Sequence, residues 1–220
     1  MADSVTPSRG YEFTSHPSVS QFAVPFPTYV ANQAALVEGL NYEYVAVGAL
    51  VFARFPAATD ATNSTHTEHG KNDELRVLLV QRAPHDSAPL RWEVPGGASD
   101  REDPTILHSV ARELWEEAGL AAKSIRSLVG QGHVFLTRGG KRVCKFEFLV
   151  EVEGGGTEAL MVKLDPNEHV NSVWATEEEC RDGRMKRENI ELAFTTWQQK
   201  QTLLEGFRLQ KELNGMSFTG

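Results

Sequence analysis

Arg112, Glu113, Glu116 and Glu117 stand together in the run Arg-Glu-Leu-Trp-Glu-Glu-Ala-Gly-Leu at residues 112–120. On a helix, positions i, i+3 and i+4 share a face, so the three carboxylates meet on one side. Like charges at that spacing repel by about 0.2–0.5 kcal/mol per pair on an exposed helix, and by more where water is partly excluded. A hard divalent cation converts that repulsion into binding. Magnesium takes oxygen ligands in octahedral geometry, keeps several waters and shares phosphate oxygens with a substrate. Arg112 carries the planar fork that braces a carboxylate through two hydrogen bonds. The chemistry on offer is metal-assisted attack of water on a phosphate. A glutamate-rich helix face is more often mere solvated surface. The order of the residues argues against that here: a short strand, Pro95-Gly96-Gly97, a capped helix, Arg-Glu-x-x-Glu-Glu, and then Gly119.

The spacing predicts a helix over 103–118, with Asp103 as N-cap, Pro104 in the first turn and Gly119 as left-handed C-cap. Leu107, Val110, Ala111, Leu114 and Ala118 form its packing face, and the carboxylates point out of the body. Strands are predicted at 43–53, 75–81, 92–94 and 172–175. A hairpin of 133–137 with 143–151 turns at Arg138-Gly139-Gly140-Lys141. Thr176 and three following glutamates open a short helix by capping. A long amphipathic helix from about Arg187 to Leu213 presents Ile190, Phe194, Trp197, Leu204 and Phe207 to the body. Residues 1–41, broken by Pro7, Pro17, Pro25 and Pro27, read as an arm whose 20–26 segment packs onto the body. Residues 57–73 and Gly154–Gly156 read as loops. The chain thus divides into an arm (1–41), a catalytic domain (42–185) and a C-terminal amphipathic helix (186–220). Its class is α/β, with a central mixed β-sheet covered on both faces.

A net charge of −8, from 22 basic and 30 acidic side chains, argues against a broad footprint on nucleic acid or an anionic membrane. An acidic protein that handles a polyanion needs a local source of positive charge, which a metal supplies. No stretch has the length and apolarity of a bilayer span, and the first residues lack a signal-type apolar run. Cys144 and Cys180 fall in no C-x-x-C spacing, which points to a reducing, cytoplasmic setting. Asn63-Ser64-Thr65 is a chance glycosylation match on this reading, and His66, Glu68 and His69 belong to a solvated loop.

The segment resembles the Nudix box, G-x5-E-x7-R-E-U-x-E-E-x-G-U, where U is a bulky aliphatic residue. Arg112 to Leu120 match its last nine positions. Upstream, Ala98 and Pro104 stand at the usual Gly and Glu positions. A one-residue insertion, expected in the loop Ser99 to Glu102, brings Gly97 and Asp103 into register instead. The resemblance covers about residues 43–185. It implies the Nudix α/β/α sandwich and magnesium-dependent hydrolysis, with manganese as an alternative, of a nucleoside diphosphate linked to another moiety. Glu113, Glu116 and Glu117 correspond to metal ligands, the Gly97 carbonyl to a further ligand, and Arg112 to the orienting arginine. Glu168 matches the downstream carboxylate that family members use as metal ligand or base, so Glu113 or Glu168 activates the water. Arg82 and Trp92 are candidate contacts for a substrate phosphate and base. The markers of the ADP-ribose, coenzyme A and NADH subfamilies are not matched, so the substrate stays open. A catalytically silent module binding a nucleotide or protein, and a hydrolase of a non-nucleotide diphosphate, remain as alternatives. Homodimerisation is likewise open.

Overall fold

A computed structural model describes residues 12–56, 73–154 and 160–216. The expectations for Pro7, for residues 57–72 (Asn63, His66, Glu68 and His69 among them) and for Gly155-Gly156 lie outside these residues. In chain order the elements are β1 (Thr14–Ser15), a 3-10 turn (Pro17–Phe22), α1 (Phe26–Leu36), β2 (Tyr44–Pro56), β3 (Asp73–Arg82) and β4 (Trp92–Glu93). Then come α2 (Ile106–Ala118), β5 (Ala122–Leu136), β6 (Arg142–Val152), β7 (His169–Thr176) and α3 (Glu177–Asp182). The chain closes with β8 (Arg184–Met185), β9 (Ile190–Glu191) and α4 (Trp197–Met216).

The main sheet runs β1-β5-β6-β2-β3-β4, with β7 also paired to β3. β2 is its middle strand. Tyr44 to Val51 pair in parallel with Val143 to Val150 of β6, while Phe52 to Pro56 pair antiparallel with β3. The first half of β2 therefore keeps one edge free of β3, and the Pro95–Ser99 segment takes that edge. Val47 N–H donates to Gly97 O at 2.8 Å, Ala49 N–H to Pro95 O at 2.8 Å, and Ser99 N–H to Val45 O at 3.0 Å. The glycine loop is thus held like a short strand, which satisfies backbone groups that burial would otherwise leave unpaired.

Alternation along the strands builds two cores. Val45, Val47, Ala49 and Val51 of β2, with Phe146, Phe148 and Val150 of β6, pack against Leu107, Val110, Ala111, Leu114 and Ala118 of α2. On the opposite face Leu50, Val77, Leu79 and Leu149 meet Leu203 and Phe207 of α4. The result is an α/β/α sandwich around a mixed sheet, as expected from the sequence.

Several boundaries differ from expectation. The prolines at 17, 25 and 27 start helical turns instead of breaking structure, because the fixed proline φ suits a helix's first turn. Phe22 stacks on Tyr29 at 5.1 Å and meets Phe148 edge-on at 5.0 Å. This segment is therefore part of the core; full burial of one such ring contributes about 1.5–3 kcal/mol. The last helix begins at Trp197, ten residues later than predicted. Thr196 opens it by accepting the Gln199 N–H at 3.0 Å, while Arg184–Met185 and Ile190–Glu191 form a small hairpin. Trp197 is 71% exposed and lies off the docking face. β5 starts at Ala122, well before His133, because its register shifts between Val129 and His133 disguise the alternation. Thr176 and Glu179 do form the reciprocal cap expected for α3.

Candidate active site

The catalytic-type helix is α2. Its N-cap is Thr105, whose hydroxyl accepts the His108 N–H at 3.2 Å, and not Asp103. Gly119 ends it in the left-handed conformation at φ 66°, where a side chain would be strained. Asp103 has another task. Arg112 Nε and Nη2 donate to its two carboxylate oxygens, each at 3.0 Å. Arg112 Nη2 also reaches Ala98 O at 2.9 Å, and Nη1 reaches Glu113 at 2.8 Å and Glu116 at 3.0 Å. Arg112 therefore ties the loop before the helix to the helix itself. Burial would raise the Asp103 carboxyl, but the Arg112 hydrogen bonds carry it below its ordinary value. Eight residues separate Asp103 from Arg112, so the extra residue of the irregular box falls between Asp103 and the helix, not in Ser99–Glu102.

Glu113 and Glu117 do not point out of the body as expected. They are only 8% and 5% exposed, and Glu116 alone of the three is solvated. The Gly96 N–H donates to Glu117 Oε2 at 2.6 Å. A Cβ on Gly97 would sit 2.7 Å from Glu113 Oε2, so the loop needs glycine to pass over this carboxylate. The Gly97 carbonyl already accepts the Val47 N–H, which leaves it one lone pair for a metal.

Burial pushes Glu113 up to about 7; Arg112 pulls it back, and the charges of Glu116 and Glu168 add to the rise. Burial also drives Glu117 well above the carboxylate range, with Gly96 N–H opposing and Glu113 and Glu93 reinforcing. A carboxyl raised on folding contributes stability below its ordinary value of 4.5 and loses it as pH climbs through about 7. Chelator-treated protein is therefore expected to melt lower by roughly 5 °C or more at about pH 7.5 than at about pH 5. Glu113→Gln should flatten that slope. Thermal melts of both proteins check this, and equal slopes would refute it.

Glu168 is brought to this place by the turn before β7. Its carbonyl accepts the Ala83 N–H at 2.8 Å, and the His169 N–H donates to Asp165 O at 2.9 Å. Among the described residues, Glu117, Glu168 and His169 place one donor atom each within 4.8 Å of one another. Two carboxylates and an imidazole suit a divalent cation, and His169 Nδ1 is buried without a hydrogen-bond partner. The residues thus fit a metal. Glu113 and Glu116 fall outside this group and are held by Arg112 Nη1 at 2.8 Å and 3.0 Å, with Glu113 near enough to feel the charge of Glu168.

His169 was missed by sequence reasoning, although it follows Glu168 directly. The other unforeseen feature is a buried ionic cluster. Lys145 Nζ lies 3.4 Å from Glu93 and 3.8 Å from Glu147. Burial alone would lower this ammonium, but Glu93, Glu147 and Glu117 hold it charged. Its signal in the sequence was a pair of charges, Lys145 and Glu147, interrupting an otherwise apolar strand.

Of the two expected substrate contacts, Arg82 is found in ion pairs and Trp92 is buried away from any ligand. Arg82 is engaged by Glu93 and by Asp86, the latter at 2.6 Å and 2.8 Å, so three of its five N–H donors are already used. Trp92 is 1% exposed and its indole N–H donates to Glu191 O at 3.0 Å, so no ring face is open to a base.

This fold and helix define a class, and the comparisons place the chain in it. A family model described as NUDIX domain matches residues 68–196, more than half of the chain. The chain belongs to the NUDIX domain family. A relative named RNA pyrophosphohydrolase, from Psychrobacter sp. (strain PRwf-1), is 34% identical over 101 residues. That alignment takes in 45% of this chain and only 56% of the relative's length. Among solved structures, the MutT protein from Methanosarcina mazei Go1 is similar with a TM-score of 0.51 at 22% identity, covering 80% of this chain and 99% of that one. The Nudix hydrolase RenU from M. smegmatis gives a TM-score of 0.51 at 19% identity, over 80% and 89%. At these identities the structures establish the shared fold.

Proposed function

We propose that the protein is a divalent-metal-dependent pyrophosphohydrolase, with magnesium or manganese as the metal, that cleaves a diphosphate linkage in a nucleoside diphosphate derivative. The observation that carries this reading is the convergence of Glu117 and Glu168 beside Glu113, with Arg112 fixing Glu113 from behind. When bound, the cation supplies polarisation and charge neutralisation of the diphosphate. Glu113, raised to about 7, is suited to take a proton from water near neutral pH. Glu168, which is solvent-exposed, is the second candidate for that proton. Arg112 keeps Glu113 in one orientation, and Gly96 N–H does the same for Glu117. The reducing, cytoplasmic setting agrees with two buried free cysteines. Among the described residues no helix is long and apolar enough to cross a membrane.

The test is a chromatographic screen for monophosphate products, with magnesium, over nucleotide sugars, dinucleotides, coenzyme A, nucleoside triphosphates and, following the relative's name, a pyrophosphate-bearing RNA. Turnover of at least one nucleoside diphosphate derivative is expected, abolished by chelator and restored by magnesium or manganese. Turnover on none would favour the silent-module reading. Turnover confined to a non-nucleotide diphosphate, or insensitive to chelator, would also overturn the proposal.

A further inference from the structure

The donors that converge beside Glu113 are not all oxygens. His169 is 3% exposed, and its Nδ1 has no hydrogen-bond partner. Leaving a buried polar nitrogen unpaired costs about 1–3 kcal/mol, a cost that coordination through Nδ1 would offset. One of its ring nitrogens lies within 4.8 Å of a Glu117 oxygen and of a Glu168 oxygen. Metal bonds of about 2.0–2.2 Å put two donors roughly 3–4.3 Å apart. The three atoms are therefore at coordinating separation or a few tenths of an ångström outside it.

The supports are rigid. His169 sits in β7 opposite Arg82 of β3, and its N–H is tied to Asp165 O. Glu117 is fixed on α2 by the Gly96 N–H. Glu168 is exposed while the other two are buried, so the cluster is closed beneath and open toward solvent. Three protein donors with an open side are the pattern of a cation that must also take substrate or water. Imidazole suits borderline transition ions, whereas magnesium prefers an all-oxygen shell.

We propose that His169 supplies a nitrogen ligand to a cation shared with Glu117 and Glu168, so that this position selects a transition-metal ion, of the manganese, iron, cobalt or zinc type, over magnesium. The inference rests on the reading of this site as a metal centre, and it deepens that reading by naming the ligand and the metal class.

The test uses full-length protein and manganese(II) alone, read by pulsed electron paramagnetic resonance for a directly coordinated nitrogen, with equilibrium dialysis of manganese and magnesium. Wild type is expected to show the nitrogen coupling. His169→Gln should lose it and bind manganese at least about tenfold more weakly. Magnesium affinity should change less than about threefold, since that ion gains little from imidazole. Glu117→Gln, which keeps the histidine, should lose the coupling as well, and it decides the matter should His169→Gln fail to fold. Absence of nitrogen coupling in wild type, its survival in Glu117→Gln, or magnesium bound more tightly than manganese overturns the proposal. The readout needs no substrate. A nitrogen signal without turnover on any diphosphate would sink the hydrolase reading alone, and magnesium-supported turnover without the signal would sink this inference alone.

Discussion

Glu117→Gln is expected to reduce turnover by at least about a hundredfold while leaving the metal-free protein as stable as wild type or more so. Glu117 is buried and carries a carboxyl pushed well above its ordinary range, first by burial and then by the charges of Glu113 and Glu93. Glutamine removes a charge that this position disfavours. Its carbonyl can still accept the Gly96 N–H now held by Glu117 at 2.6 Å, and its amide has carboxylates nearby to receive it. What is lost is one negative ligand in the group with Glu168 and His169. The two effects run in opposite directions, which separates a chemical role from a structural one. Steady-state rates and melting curves in chelator check both. Turnover within about threefold of wild type would refute the metal role, since a lost ligand costs far more than that. A melting point well below wild type would refute the account of Glu117 as a strained group.

The second large effect is expected at Gly96. The loop crosses β2 so closely that a Cβ here would lie 2.6 Å from Gly48 Cα, and nearer still to the Val47 carbonyl oxygen. These are backbone atoms of the middle strand and cannot move aside. The residue also holds φ at +154°, which side-chain-bearing residues rarely adopt. Backbone strain of about 1–3 kcal/mol adds to overpacking of about 1–3 kcal/mol. Gly96→Ala should therefore melt about 5–20 °C lower or fail to accumulate. Gly97→Ala is the control: the atoms nearest its Cβ belong to the Glu113 carboxylate, a side-chain end and not the backbone of the middle strand. It should be the more stable of the two, with impaired metal binding. Equal melting points for the two alanine variants would contradict this reading of the loop.

How much of this was legible beforehand depends on the distance over which each signal acts. The α2 packing face and its Gly119 stop are local patterns, and Leu107, Val110, Ala111, Leu114 and Ala118 are buried as their spacing implies. The Arg112-to-Leu120 run revealed the carboxylates for the same reason. Their burial was not legible, because it comes from the 95–99 loop folding over the helix. The engagement of the half-buried Arg82 and the burial of Trp92 were not legible because their partners, Glu93 and Glu191, are brought to them by the fold. His169 became visible only when β7 placed it opposite Arg82 and within reach of Glu117. The false helical reading of 187–196 arose because Ile190 and Phe194 are four residues apart, while the Thr196 cap lies beyond them.

The position of β2 in the sheet also sets a timetable. Its distal half can join β3 early, since Phe52 to Pro56 meet residues 73–77. Its proximal half must wait for β6, because Tyr44 pairs with Val143. At about 5–20 residues per second of synthesis, that wait is on the order of 5–20 s. For that interval an apolar strand destined for the centre of the sheet has only half of its partners. The contiguous β5–β6 hairpin is the local unit that forms once both strands have emerged, and β2 docks onto it afterwards. The Pro95–Ser99 loop takes the other edge of the same half of β2, and Glu168 and His169 follow β6 in the chain, so the nascent chain completes the group with Glu117 only after the middle strand has found both of its neighbours.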